Sequence, residues 1–465
     1  MKRLNALLDA VSRRQAVPQW KERRTAVEAH YRALMDAIAA DPGQQIYGLN
    51  TLSGHRDDHV LEPARARAFQ HELIATHTIS GAPFYSGKAA LCIHGAKLFQ
   101  IAALGPIISG PLYDGLIAAF EDPAFAPAIP RQSSYSCGDV IPAAHWAGAV
   151  LSHLGREGEP LALEPGEGMA LINGAFVHLG HAAHLADRVR ALLPLIVDAM
   201  RADLRAARAD AGALAHAARY AQGGYRAALD YLAEGVDGVA AGAQLPVSYR
   251  AIPETLDLAF RTMGGFAVEI ETQLGRPSGN PLAIKGPEGI RPVSQASFML
   301  PLLATATSSV IDAVLFAGWA QVSRTKWLLS GSVEGIGTDG QAHADDVGFI
   351  QWPKLMQALL EDMRLRAGRM LYASGGETSY GVEDLWASGV ANLERLEEVV
   401  VLGERLFTLA LVLDARLGQR FDRPSGLAPD VAAACIGDFA PVDAVEALRA
   451  LYGGSHFARQ RQWLF

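Results

Sequence analysis

Cysteine is nearly missing from this 465-residue chain: Cys92, Cys137 and Cys435 are the only three, odd in number and far apart. They form neither a disulfide framework nor a CxxC-type metal knuckle. The sequence therefore reads as a protein of a reducing compartment, the cytoplasm, with no metal. Charge is also sparse. Asp, Glu, Lys and Arg make up 19% of the residues, and the net charge is −8. A nucleic-acid binder needs a basic footprint and an anionic membrane surface needs a polybasic run; the sequence has neither. The first residues are basic, but Asp9 and Arg13-Arg14 interrupt any apolar run, so no secretory signal is expected. The most lipid-like stretch, Leu302 to Ala320, carries Asp312 and several Ser and Thr residues. It is expected to be a buried helix, because a bilayer span needs ~20 predominantly apolar residues.

Half of the residues are hydrophobic, enough to bury a large core and to exclude intrinsic disorder. Their spacing is helical. Between Ala186 and Glu234 the residues Val189, Leu192, Leu193, Ile196 and Met200 recur every three or four positions, until Gly223-Gly224 breaks the pattern. Val390 to Leu417 repeats the spacing. Period-two alternation is scarce and no βαβ rhythm occurs, so a mainly α fold with a long antiparallel helical bundle is expected. Gly and Pro mark joints at Asp41-Pro42-Gly43, around Pro160, at Glu164-Pro165-Gly166, from Arg276 to Gly289 and from Ser330 to Asp346. The last two are long and glycine-rich, as are loops that cover a site or meet a partner. Repeats and flexible linkers are missing. One integrated unit is expected, with an N-terminal part (1–185), a central helical bundle (186–420) and a C-terminal tail (421–465).

Four segments set polar groups beside glycine or proline in apolar surroundings. IYGLNTLSGHRD (46–57) is a turn that holds a phenol, Tyr47, or an ordinary polar turn capped by Asn50 and Thr51. SSYSCGDVIPAAH (133–145) surrounds Cys137 with small residues; Asp139 is placed to cap a following helix, and the segment reads equally well as a helix start with a buried thiol. EGMALINGA (167–175) is an apolar run interrupted by Asn173-Gly174, and QLPVSYRAIPE (244–254) sets Arg250 in a proline-bounded turn. Singly, the last two read as a plain turn and a surface arginine.

In this order and at these separations the four segments resemble the histidine and phenylalanine ammonia-lyase family. Its motif YGxNTGFG is similar to YGLNTLSG here, ASGDLxPLAH to SCGDVIPAAH, EGLALINGT to EGMALINGA, and QDxYSxRxxPQ to QLPVSYRAIPE. LIATHTISGAP and GVEDLWASG add weaker matches. The resemblance runs from Tyr47 to Gly389. It implies a homotetramer with shared active sites and a methylidene-imidazolone electrophile made from the backbone of Ser136-Cys137-Gly138, with no metal. It further implies that Tyr47 is the base, with a phenol pKa brought down from ~10 toward working pH. Asn173 would hydrogen-bond near the ring, Arg250 would clamp the substrate carboxylate, and Gln244 lies on the same loop. His77 stands where members acting on histidine or tyrosine often carry a histidine, and Glu383 in GVED resembles the histidine-specific pattern; the resemblance implies that both bind substrate.

Departures from the pattern bear on the reaction. Cys137 replaces the central serine of the tripeptide and would have to lose hydrogen sulfide where serine loses water. Val247 replaces a second tyrosine, Leu52-Ser53 replace Gly-Phe, and Leu245 replaces an aspartate. The family's GNFHG and TDNPL segments correspond to ASFML (296–300) and SGNPL (278–282). The leading expectation is an ammonia-lyase acting on an aromatic L-amino acid of the histidine or tyrosine class. A second is a relative without the prosthetic group, working through the Cys137 thiol with Tyr47 or His145 as proton carrier. A third is a non-catalytic scaffold.

Overall fold

A computed structural model describes residues 1–156, 158, 160–236, 244–287, 289–368, 376–423, 426–436 and 443–453. Much of the expected tail, including 454–465, lies outside the described residues. The chain is mainly helical and divides into two compact units. One comprises residues 1–185, 267–305 and 370–393; the other comprises 186–266, 306–369 and 394–465.

In the first unit, α1 (Lys2–Arg13), α2 (Pro18–Ala40), α3 (Pro63–His77), α4 (Gly87–Ala102), α5 (Gly110–Glu121), α6 (Val140–Leu154) and α7 (Glu167–Ile172) precede the start of α8 (Phe176–Ala206). Helix α4 is buried along nearly its whole length, which is why it reads as an apolar run without a polar face. Around it, the Trp20 ring meets Phe99 and Phe120 edge-on, with centroids 5.2 and 5.0 Å away. His94 is the polar knot of this core. Trp146 Nε1 donates to its Nδ1 at 3.1 Å and its Nε2 faces the Leu116 carbonyl at 2.8 Å. Burial pushes the imidazole down to about 4, so it stays neutral.

Part of the expected Arg276–Gly289 loop instead forms an antiparallel hairpin, β1 (Leu282–Gly286) with β2 (Gly289–Val293), Leu282 opposite Val293 and Gly286 opposite Gly289. Five residues per strand are too few for alternation to stand out against flanking Gly and Pro.

The second unit holds the rest of α8, then α9 (Gly212–Ala218), α10 (Gly223–Ala233), α11 (Val247–Arg250), most of α12 (Ile252–Leu274) and of α13 (Pro301–Leu328), α14 (Trp352–Arg366), most of α15 (Gly389–Arg420), α16 (Pro429–Cys435) and α17 (Ala444–Gly453). The helical spacing over 186–234 thus covers three helices. The first ends at Ala206, two residues before Arg208 takes φ +49°, and Gly223-Gly224 opens α10 instead of merely interrupting it. Helix α15 contains the whole Val390–Leu417 pattern. Helix α13, which contains Leu302–Ala320, is long and apolar enough to cross a bilayer by length and composition, and half of its apolar window is buried within the chain. On it, the fully buried Arg324 pairs with Asp203 of α8 at 2.5 Å, and the Arg188–Glu404 pair (2.7 Å) ties α8 to α15.

Candidate active site

Five short segments of the first unit converge on the Ser136-Cys137-Gly138 turn. Ser136 and Gly138 both take left-handed backbone angles, φ +70° and +80°, and Asp139 follows at +51°. Non-glycine residues hold such angles only when fastened. The fastening is visible. Ser136 is buried; its N–H donates to the Ser134 hydroxyl (2.9 Å), and its own hydroxyl accepts the Val390 N–H (2.8 Å) at the start of α15. The Gly138 carbonyl accepts the Gly174 N–H at 3.1 Å. A side chain at position 138 would stand 3.3 Å from the Asn173 amide nitrogen, a tight contact, and the positive φ itself favours glycine.

Asp139 does not cap α6 as expected. Although it precedes Val140, its carboxylate makes no capping bond; Oδ1 accepts the Ser134 hydroxyl (2.5 Å), and Oδ2 accepts the backbone and ring N–H of His178 (3.2 and 2.7 Å). The left-handed φ turns the side chain back toward α8, away from the free amides of its own helix. The His178 Nε2 is buried and makes no hydrogen bond.

Tyr47 lies on a turn tied as its polar residues suggest. Asn50 Oδ1 accepts the Ile46 N–H (2.7 Å), and Asn50 Nδ2 reaches the Gln44 carbonyl (2.8 Å). The fully buried Gln70 of α3 joins this turn to α7, donating to the Gly48 carbonyl (3.2 Å) while accepting the Gly168 N–H (2.9 Å). Gly48 has no room for a Cβ, which would come 2.7 Å from the Met169 side chain. The half-buried Tyr47 hydroxyl accepts the Gly54 N–H at 3.1 Å.

The expected lowering of its pKa is not found in this chain. Burial, with the negative charges of Glu383 and Asp57 and the Cys137 side chain, outweighs the Gly54 bond and raises the phenol above its ordinary value. Cys137 behaves alike. Half-buried and facing Glu383, Asp139 and Asp384, its thiol is pushed up to about 12 by burial first and those carboxylates second.

Glu383 closes the site. The Tyr135 and Thr378 hydroxyls both donate to its Oε2 at 2.5 Å, and the Tyr135 ring meets Trp386 edge-on. Asn173, buried at the end of α7, keeps an Oδ1 without a partner, 3.6 Å from where a Gly138 side chain would begin. Below it, the Ser278 hydroxyl accepts the Ala175 N–H (2.8 Å) and donates to the Ser297 carbonyl (3.1 Å), so SGNPL and ASFML meet under the turn.

The structure thus brings Tyr47, Ser136, Cys137, Gly138, Asn173 and Glu383 into one unit. His77, also there, ends α3 with its Nδ1 turned back to the Leu73 carbonyl at 2.7 Å. His145 accepts the Ser80 N–H on Nε2 (3.1 Å), which occupies the lone pair a proton carrier would use. Gln244 and Arg250 belong to the other unit, both exposed. The hydrogen bond of Arg250 runs from Nε to the Leu245 carbonyl at 2.9 Å. Gln70, Tyr135, Thr378 and His178 were not singled out from the sequence. Among the described residues no group of three or more His, Cys, Asp and Glu side chains is placed to hold a metal ion.

Comparison with known proteins bears on the family and the fold. The family described as aromatic amino acid lyase matches residues 3–433. A histidine ammonia-lyase of Bacillus cereus is 30% identical over a stretch covering 31% of this chain, and the match spans only about a third (32%) of that relative's length. Among solved structures, the phenylalanine aminomutase of Pantoea agglomerans superposes with a TM-score of 0.84 at 17% identity, covering 97% of each chain. The histidine ammonia-lyase of Trypanosoma cruzi gives 0.76 at 21%, covering 95% of this chain and 90% of that one. The ergothionase of Treponema denticola gives 0.83 at 14%, covering 99% and 97%. At these identities the structures speak for the fold, and the family match, running through nearly the whole length, speaks for kinship: the chain belongs to the aromatic amino acid lyase family.

Proposed function

We propose that the protein is an ammonia-lyase that eliminates ammonia from an aromatic L-amino acid of the histidine or tyrosine class. The observation that carries the reading is the fastened turn: Ser136 and Gly138 at positive φ, with the Gly138 carbonyl on Gly174 and the unpartnered Asn173 oxygen beside it. These residues fit a methylidene-imidazolone made from the tripeptide, because its third position is a glycine at a positive φ that other residues rarely adopt, tight against the Asn173 amide. When present, that group supplies an electrophile that makes the substrate amine a leaving group.

This chain's own residues do the rest. Tyr47 removes the β-proton, with the Gly54 N–H stabilising the phenolate oxygen. Glu383, Asp57, Asp139 and Asp384 give the site an anionic character that suits a substrate ammonium. Such a cation, entering beside Glu383, offsets the Glu383 and Asp57 charges that add to burial in raising the phenol. Asn173 offers its free oxygen to a donor at the turn. Arg250 binds the substrate carboxylate in a homotetramer whose sites are shared between chains, and Gln244 and His77 line the same sites. The three free thiols suit the cytoplasm.

The thiol alternative is opposed by electrostatics: a group near 12 is not a thiolate at neutral pH. Intact mass of the purified protein tests the proposal, followed by ultraviolet assay against histidine, tyrosine and phenylalanine. Ring formation subtracts one water and one hydrogen sulfide. Cys137→Ser should keep or raise activity and Cys137→Ala should abolish it; equal activity of the two variants refutes the reading. Sedimentation as a stable monomer at micromolar concentration would refute the shared-site assembly.

A further inference from the structure

Under the tripeptide turn lies an ammonium group that none of these roles uses. Lys97, in the middle of α4, is completely buried, and among the described residues no carboxylate pairs with it. Burying an unpaired lysine is costly, and here burial alone pushes it down to about 7. What it does touch is specific. Its Nζ donates to the carbonyls of Ala170 and Asn173, the latter at 3.2 Å, and lies 4.5 Å from the Phe176 ring centroid. Both carbonyls lie at the C-terminal end of α7, the end of a helix that favours a cation.

The Asn173 carbonyl belongs to the same peptide group as the Gly174 N–H, and that N–H is the one held by the Gly138 carbonyl at 3.1 Å. A proton donor on the oxygen of a peptide makes its N–H a stronger donor. Lys97, the Asn173-Gly174 peptide and Gly138 therefore form one polarised chain from the core of α4 to the third residue of the tripeptide. Gln100, one turn further along α4, lies under the same peptide.

We propose that Lys97 is a positioning residue for maturation of the tripeptide, its ammonium acting through the Asn173-Gly174 peptide to hold Gly138 for ring closure. The inference rests on the ring-forming reading above. In that closure the Gly138 nitrogen bonds to the Ser136 carbonyl carbon. Water carries off that carbonyl's oxygen with the protons of the Gly138 and Cys137 nitrogens. The Cys137 Cα proton and its sulfur then depart as hydrogen sulfide, leaving Cβ as the methylidene carbon. No oxidant enters.

The test is intact mass and near-ultraviolet absorbance of freshly purified protein followed over time, with a thermal melt of each variant. Wild type should show the combined loss of water and hydrogen sulfide. Lys97→Met should fold and show at least a tenfold smaller cyclised fraction at equal age. A folded Lys97→Met that cyclises as fast as wild type overturns the proposal. Should the Met variant not fold, Lys97→Gln decides. Its neutral amide keeps a donor but not the charge, so several-fold slower cyclisation supports the role, and an unchanged rate refutes it. Wild type without the mass loss overturns the ring reading itself, and this inference with it, so the two failures are told apart.

Discussion

Gly180 is the sharpest test of how closely the helices under the site are packed. It lies on α8 where that helix crosses α4, and a Cβ added there would come 2.3 Å from Ile93 Cα, 2.5 Å from Ile93 N and 2.8 Å from the Cys92 carbonyl carbon. Ordinary carbon contacts lie at about 3.5–4.0 Å, so Gly180→Ala requires the helices to part by over ~1 Å. Overpacking costs about 1–3 kcal/mol when side chains can turn aside. Here every obstructing atom is backbone, which puts the cost at about 3 kcal/mol or more. Gly265→Ala is the control: it lies exposed within α12 with nothing inside 4 Å of its Cβ, and should gain about 0.5–1 kcal/mol from helix propensity alone. Melting curves should therefore move in opposite directions, the Gly180 variant down by about 3 °C or more and the Gly265 variant slightly up. Because α4 carries Lys97 and α8 carries His178, the Gly180 variant should also cyclise poorly. A Gly180→Ala protein that melts with wild type would refute the packing argument.

Tyr47→Phe should lower turnover by at least about a hundredfold while leaving the melting temperature unchanged, since only the hydroxyl accepting from Gly54 is lost; wild-type turnover would remove the base assignment. In chains that retain the Cys137 thiol, a group near 12 leaves little thiolate at pH 8. Iodoacetamide should then modify it roughly a thousandfold more slowly than a free cysteine, read by mass. Asp414, buried with both oxygens unpartnered, has its carboxyl raised well above the ordinary value by burial and by Asp203. The folded state thus holds a proton that the unfolded state releases above ~4, and stability falls as pH rises. Asp414→Asn should melt higher than wild type at pH 8, by more than at pH 5; an equal gap at both would contradict the sign.

The long helices were legible because burial of one face writes itself into spacing, as the leucines and valines of α15 show. The tripeptide, Tyr47 and Asn173 were legible only through the resemblance of four collinear motifs, since singly each segment reads equally as an ordinary turn or helix start. The site's other residues were not, for a physical reason. Gln70 and Lys97 make their hydrogen bonds to main-chain carbonyls far along the chain, and a carbonyl has no residue type to read. Asp139 was assigned to its own helix because local capping is the commoner use of an aspartate there. Only the left-handed φ, which no sequence rule required, redirects it to His178. The Tyr47 phenol was expected low on chemical need, whereas its neighbours in this chain are acids.

The Ser136 hydroxyl, which receives the Val390 N–H, joins positions 254 residues apart. Both ends are needed: the turn loses a clamp without Val390, and α15 begins with an unsatisfied amide without Ser136. During synthesis the first 388 residues can emerge and fold locally while the turn still lacks this clamp. On the ring-forming proposal, closure at 136–138 waits for this clamp, and a ribosome-bound or truncated chain ending before residue 389 should carry the tripeptide unreacted. On that proposal the serine makes ring closure wait for a segment far downstream of the turn.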